Sequence, residues 1–243
     1  MTISKTIRRR IAAMPGGRVF TAREVCPDSE ALGTASRLLN RMVQSRQLRR
    51  LSNGRYYCPV KGLFGEIKPQ LSDILRDFLE QDGRVSGYLT GPIAFGAMGL
   101  TTQVSTDIVI GFSRPKRAIC RGGYRIRFQC QPNPITPKNI ELLRILDALH
   151  CIRHIPDCTP NDACRVIGGL LRQFSPEEKQ GFATLALQYA PFVRALSGAL
   201  LENAEYVSTE LKNSLNPLSR YILPLSPTVL PNMEHWRIKH GTA

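Results

Sequence analysis

Residues Gly33–Pro59, GTASRLLNRMVQSRQLRRLSNGRYYCP, constrain the fold more tightly than any other stretch of the chain. Apolar side chains fall at Ala35, Leu38, Leu39, Met42 and Val43, the i, i+3, i+4, i+7, i+8 spacing of an amphipathic helix. The opposite face carries Ser36, Arg37, Asn40, Arg41 and Gln44, with Thr34 at the start of the same helix. Two short strand-forming runs follow, joined by Asn53-Gly54. That pair predicts a two-residue hairpin, because a type I′ turn needs φ > 0 at both central positions. Arg49, Arg50 and Arg55 lie on the hairpin, close to the polar side of the helix. A helix with a basic polar face running into a basic β-ribbon is the pattern of a winged helix-turn-helix.

The segments upstream agree with that order. Ile3, Ile7, Ile11 and Met14 line one face of a helix expected over Ile3–Met14, capped by Thr2 or Ser4 and stopped by Pro15-Gly16-Gly17. Arg18-Val19-Phe20 is long enough only for an edge strand or an extended link. Thr21 with Glu24 three residues on makes a capping box for a short second helix, and the third helix is expected over Thr34–Ser45.

Charge is concentrated in the same region. The chain of 243 residues carries a net charge of +14. Residues 1–60 hold 12 basic and three acidic side chains, residues 61–135 ten and six, and residues 136–243 eleven and ten. A basic module attached to a nearly neutral remainder is the electrostatic footprint of a polyanion binder. With 42% hydrophobic and 21% charged residues the chain can bury a real core. No apolar run approaches the ~18 residues of a membrane span, and the N-terminal stretch lacks the apolar core of a signal peptide. Seven cysteines without a CxxC pair fit reduced thiols, so a cytoplasmic protein is expected.

The expected fold class is α+β and helix-rich. Residues 1–60 form the winged helix-turn-helix and residues 61–243 an effector domain, mixed α/β over 61–135 and mainly helical over 136–243. Val60–Gly65 reads as the linker, followed by a helix through Leu71, Ile74, Leu75, Phe78 and Leu79 that ends at Asp82-Gly83. Thr90 caps a short glycine-rich helix, Thr106–Phe112 is a strand, and the segments around Gly122-Gly123 make a second hairpin. Helices follow from Thr136, from Asn161 and from Ser175-Pro176-Glu177-Glu178; Pro191 interrupts the last of these. Beyond Leu215 the prolines predict an extended tail packed down through Tyr221, Leu223, Leu225 and Trp236.

Catalytic motifs are missing. The sequence has no GxxxxGK[ST], GxGxxG after a strand, GxSxG or HExxH, and no acid-x-Lys follows Asp107. His150, His154, Cys158 and Cys164 form the most metal-like group, yet Pro156 interrupts the helix and the cysteine spacing matches no common zinc module. Buried thiols and surface histidines account for them. The expectation is therefore a non-enzyme with no metal and no cofactor.

The winged-helix end RLSNGRYYCP, followed about thirty residues later by GYLTGPIAFGAMGLTTQVS, resembles the AbiEi-type antitoxins of bacterial (type IV) toxin–antitoxin systems. The resemblance covers roughly residues 5–130. It implies two roles: binding of inverted repeats in the operon's own promoter, with autorepression, and countering a nucleotidyltransferase-type toxin, functionally if not by stable binding. By position, Ser36, Arg37, Asn40, Arg41 and Gln44 would face the major groove, Arg49, Arg50 and Arg55 would meet phosphate on the wing, and Thr34 is counted with them as DNA-binding. No motif identifies the residues that oppose the toxin. Inverted repeats call for a homodimer or two monomers side by side, and the sequence selects neither. The alternative is a winged-helix regulator whose second domain senses a ligand or metal, or is catalytic, with no toxin partner.

Overall fold

The computed structural model describes residues 2–63, 65–81 and 83–241. The chain is α+β and divides into two compact units, residues 1–77 with 120–124, and residues 78–119 with 125–243.

In the first unit, helix α1 (Ile3–Ala12) precedes strand β1 (Val19–Thr21), the short helix α2 (Ala22–Val25) and helix α3 (Leu32–Gln44). Strands β2 (Arg49–Ser52) and β3 (Arg55–Tyr57) form the wing, and β1 joins it in the order β1-β3-β2, antiparallel throughout. The core is the one the helical spacing predicts: Ile7 and Ile11 from α1 meet Ala35, Leu38, Leu39 and Met42 from α3, closed by Phe20, Leu48 and Tyr56. Thr21 starts α2 as a capping box, its amide donating to Glu24 Oε2 at 2.7 Å and its hydroxyl at 2.9 Å.

Several boundaries differ from expectation. Helix α1 ends at Ala12, short of Met14, and Thr2 caps it without a side-chain hydrogen bond. Helix α3 begins two residues early, at Leu32. The Asn53-Gly54 turn has positive φ only at Gly54 (70°), so it is not type I′; a register irregularity between Arg50 and Ser52 takes up the twist instead. The turn with positive φ at both positions is Gly122-Gly123, at 61° and 88°. Val60–Gly65 is not a linker: strands β4 (Val60–Gly62) and β5 (Gly65–Ile67) pair as a hairpin. The glycines there serve a turn, which in sequence looks the same as flexibility. Phe64 of that stretch, and Asp82 of the expected helix stop, lie outside the described residues.

Helix α4 (Leu71–Leu79) leads into the second unit, where strands β6 (Glu80–Gln81) and β7 (Arg84–Val85) make a minimal hairpin. Strand β8 (Gly87–Thr90) and helix α5 (Pro92–Ala97) precede β9 (Asp107–Phe112), β10 (Ile119–Arg121) and β11 (Tyr124–Cys130), in a sheet ordered β10-β11-β9-β8. Strands β11 and β9 run parallel, β9 and β8 antiparallel. Along β11, Ile126 is buried between exposed Arg125 and Arg127, as the alternation predicts. The Lys116 ammonium lies over the rings of Phe78, Phe112 and Phe128, 4.8–5.6 Å from their centroids.

The remaining helices are α6 (Ile140–His150), α7 (Pro160–Gln173), α8 (Pro176–Ala186), α9 (Pro191–Glu202) and α10 (Thr209–Asn213). Helix α6 starts at Ile140 rather than at Thr136. Ser175 and Glu178 form the expected capping box of α8, with the Ser175 amide donating to Glu178 Oε2 at 2.8 Å. The tail folds more than its prolines suggest. Strands β12 (Tyr221–Leu223) and β13 (Ile238–His240) pair in parallel around a 3₁₀ turn at Met233–Trp236. Leu223, Leu225 and Trp236 are buried as expected. Trp236 lies flat on Gly198 of α9: a Cβ there would come within 2.0 Å of the indole, so α9 must be bare at that point. The indole Nε1 donates to Glu202 at 2.6 Å.

Candidate nucleic-acid interface

The face of α3 turned away from the first unit's core carries the side chains singled out from sequence. Thr34, Arg37, Asn40, Arg41 and Gln44 are exposed and Ser36 is half-buried, because Ala35, Leu38, Leu39 and Met42 use the other side for packing. Arg37 and Arg41 are one turn apart, and their side chains make no hydrogen bond or ion pair with any described residue. Gln44 closes the helix on the same side. No acidic residue occurs anywhere in α3. Two guanidiniums can donate to guanine O6 and N7 in a major groove, and a carboxamide can donate to adenine N7 while its oxygen accepts from N6–H.

The wing arginines are placed differently from the expectation of free phosphate contacts. Arg49 grips Glu66 on β5 with Nε at 2.9 Å and with Nη2. Arg55 pairs with Asp77 on α4, and Arg121 donates to the same carboxylate at 2.5 Å and to the Ile74 carbonyl at 2.8 Å. Arg50 donates to Asn40 Oδ1 and stacks over Tyr56, 5.6 Å from the ring centroid. Asp77 and Glu66 are 22 and 17 residues distant in sequence, so no local pattern announces these pairs.

The second unit holds a buried polar network that no sequence motif announces. Asp147 sits in α6, fully buried between apolar turns. Its Oδ2 accepts from the Tyr88 hydroxyl at 2.8 Å and the Thr90 hydroxyl at 2.7 Å; its Oδ1 accepts from Gln129 Nε2 at 2.7 Å and the Tyr189 hydroxyl at 2.9 Å. Gln131 then donates to both tyrosine oxygens, at 2.8 and 2.7 Å. The Thr90 hydroxyl is thereby taken from its expected capping role, and Gly91, at φ 67°, leads into α5 instead. Burial raises the Asp147 carboxyl above the ordinary carboxylate range, and the Thr90, Tyr88 and Tyr189 hydroxyls oppose it by hydrogen bonding. With four donors supplied, the carboxylate ties β8 and β11 to the helices. An acid inside the apolar run LRILDALH was the available signal.

Of the metal-like group, His150 and His154 are exposed, Cys158 is half-buried, and Cys164 is buried within α7, where burial lifts its thiol to about 12. Among the described residues no three His, Cys, Asp or Glu side chains converge in a metal-holding arrangement. No helix among the described residues is long and apolar enough to cross a membrane.

The first unit has the order helix, strand, helix, helix, hairpin of a winged helix. The chain belongs to DUF6088, a family of unknown function, whose model matches residues 6–173. No curated protein matches it. Among solved structures it is similar to the crystal structure of RV2827C protein from Mycobacterium tuberculosis, at 16% identity and a TM-score of 0.43, over 90% of this chain and 82% of that one.

Proposed function

We propose that the protein is a DNA-binding antitoxin and autorepressor of a toxin–antitoxin operon, acting against a nucleotidyltransferase-type toxin and not itself an enzyme. The observation that carries the DNA-binding half is the exposed, acid-free face of α3, with Arg37, Arg41 and Gln44 free to meet base edges. The concentration of positive charge in residues 1–60 supports the same reading, since phosphate attraction supplies most non-specific affinity. The antitoxin half rests on the resemblance of LTGPIAFGAMGLTTQVS and of the preceding wing to that class of proteins.

The two halves are tested separately. A gel-shift titration on the DNA upstream of the protein's own gene should give a discrete complex that outcompetes random duplex. Arg37→Ala with Arg41→Ala should abolish the preference. Co-expression should rescue growth from an adjacent nucleotidyltransferase that is toxic alone. Equal binding to any duplex removes the repressor role, and failure of rescue removes the antitoxin role.

A further inference from the structure

In the second unit a cleft of about 610 Å³ opens where the end of α6 meets β12 and the start of α9. Its walls include His150, Arg153, His154 and Arg220, with Phe192 and Tyr221 between them, and among the described residues no aspartate or glutamate lines it. None of those four basic side chains forms an ion pair among the described residues. This concentration is not a by-product of a basic domain, because residues 136–243 hold eleven basic and ten acidic side chains. Arg153 is anchored by the Ile222 carbonyl, and Arg220 donates to the carbonyls of Ser219 at 3.1 Å and Pro217 at 3.5 Å. Neutral acceptors hold both guanidiniums in position without cancelling their charge. Helix α9 opens at Pro191, beside Phe192, with no side-chain cap and no acid in its first turn, so its positive end adds to the same field.

The aromatic part narrows the ligand. The His150 and Phe192 rings stack, 5.9 Å apart and 28° from parallel, giving a flat wall to which Tyr221 adds a second half-buried ring. The volume falls in the ~300–1,000 Å³ range of small-molecule sites, far more than an inorganic anion fills. We infer that this cleft binds a mononucleotide, its phosphate held by Arg220 and the histidines and its base laid against Phe192 and Tyr221. Guanidinium–phosphate bonding and base–aromatic stacking are the two interactions such walls can supply. The site lies wholly within the second unit and does not depend on DNA binding by α3.

Isothermal titration of the full chain with adenosine 5′-monophosphate, adenosine and inorganic phosphate tests it. The nucleotide should bind saturably at one site per chain, at least about tenfold tighter than either phosphate or adenosine alone. Arg220→Gln, an exposed substitution, should weaken the nucleotide by about tenfold or more. Phe192→Leu should weaken the nucleotide and leave phosphate unchanged. Arg37→Ala with Arg41→Ala should leave nucleotide affinity intact. Non-saturable binding, phosphate or adenosine as tight as the nucleotide, an Arg220→Gln or Phe192→Leu variant with wild-type nucleotide affinity, a Phe192→Leu variant that also loses phosphate, or loss of binding in the α3 variant would overturn the assignment.

Discussion

Asn40 on α3 accepts a hydrogen bond from Arg50 on the wing, and the Tyr56 hydroxyl donates to the same Oδ1 at 3.3 Å. An asparagine that reads adenine needs its carbonyl and amide together, and here the carbonyl is already engaged. Asn40 therefore fixes the wing against the helix, and on the proposed DNA-binding reading base discrimination would fall to Arg37, Arg41 and Gln44. Asn40→Ala should lower affinity for operator and random duplex by the same factor, roughly threefold to tenfold. Arg41→Ala should cost about 1–3 kcal/mol of operator preference. Competition anisotropy at one fixed salt concentration separates the two, and a sequence-selective loss in the Asn40 variant would contradict the division of labour.

Asp77 neutralises Arg55 and accepts from the buried Arg121. With Arg55 already paired, it should release less counterion on binding DNA than a free arginine. Asp77→Asn should therefore steepen the salt dependence of duplex binding by about one unit of log–log slope. The same change should lower stability by about 1–2 kcal/mol, since Arg121 is only 5% exposed while Asp77 is partly hydrated. Binding isotherms across a salt series and a urea melt measure the two effects, and an unchanged slope would mean that Arg55 lies outside the DNA contact.

Much of the first unit is legible in sequence because its information is local. The spacing of Ala35, Leu38, Leu39 and Met42 announces both the buried face and, by subtraction, the exposed one. Asn53-Gly54 places the hairpin even though the turn type differs. In the second unit the information is distant. Tyr88 and Thr90 are 59 and 57 residues from Asp147, and Tyr189 is 42 away. Strand β8, only four residues between glycine-bearing segments, shows no alternation long enough to recognise. Glycines mislead in both directions: Gly62 and Gly65 look like a linker and flank a turn, whereas Gly111 looks incidental inside a strand.

Gly111 illustrates how the buried network depends on empty space. It pairs with Tyr88 across β8 and β9, and a Cβ there would lie 2.4 Å from the Tyr88 ring. Gly111→Ala should push the phenol off Asp147 and cost about 1–3 kcal/mol by overpacking, with a further loss from the unpaired hydrogen bond. Thermal unfolding of the variant, compared with Tyr88→Phe, checks the coupling. If the two effects simply add in the double variant, Gly111 and the hydroxyl act independently.

Asp147→Ala should lower stability by about 3–5 kcal/mol, because the buried Tyr88 and Thr90 hydroxyls and the half-buried Gln129 and Tyr189 donors lose their acceptor together. Its titration gives a second handle. A carboxyl whose folded pKa is raised binds its proton more tightly in the native state. The native chain therefore holds the extra proton between the ordinary carboxylate value and the raised one, and stability from this group falls as pH rises through that window. Asp147→Asn should flatten that slope. Urea midpoints across the acidic range measure it, and a variant with the wild-type slope would assign the pH dependence elsewhere.

Three phenylalanine rings surround the Lys116 ammonium. Lys116→Met keeps the aliphatic stem and deletes the charge. It should cost about 0.5–1 kcal/mol, the range for a solvent-exposed cation on aromatic faces. A neutral thermal melt would show that stem packing alone holds the loop.

The bare patch of α9 at Gly198 has an optical consequence. Trp236, seated there, is the chain's one tryptophan and belongs wholly to the second unit. Its emission therefore reports loss of that unit alone, while far-ultraviolet dichroism follows both. If, in the unaltered chain, a duplex bound by the winged helix moves the dichroism transition and leaves the indole signal where it was, the two units are energetically independent, and the measurement needs no label.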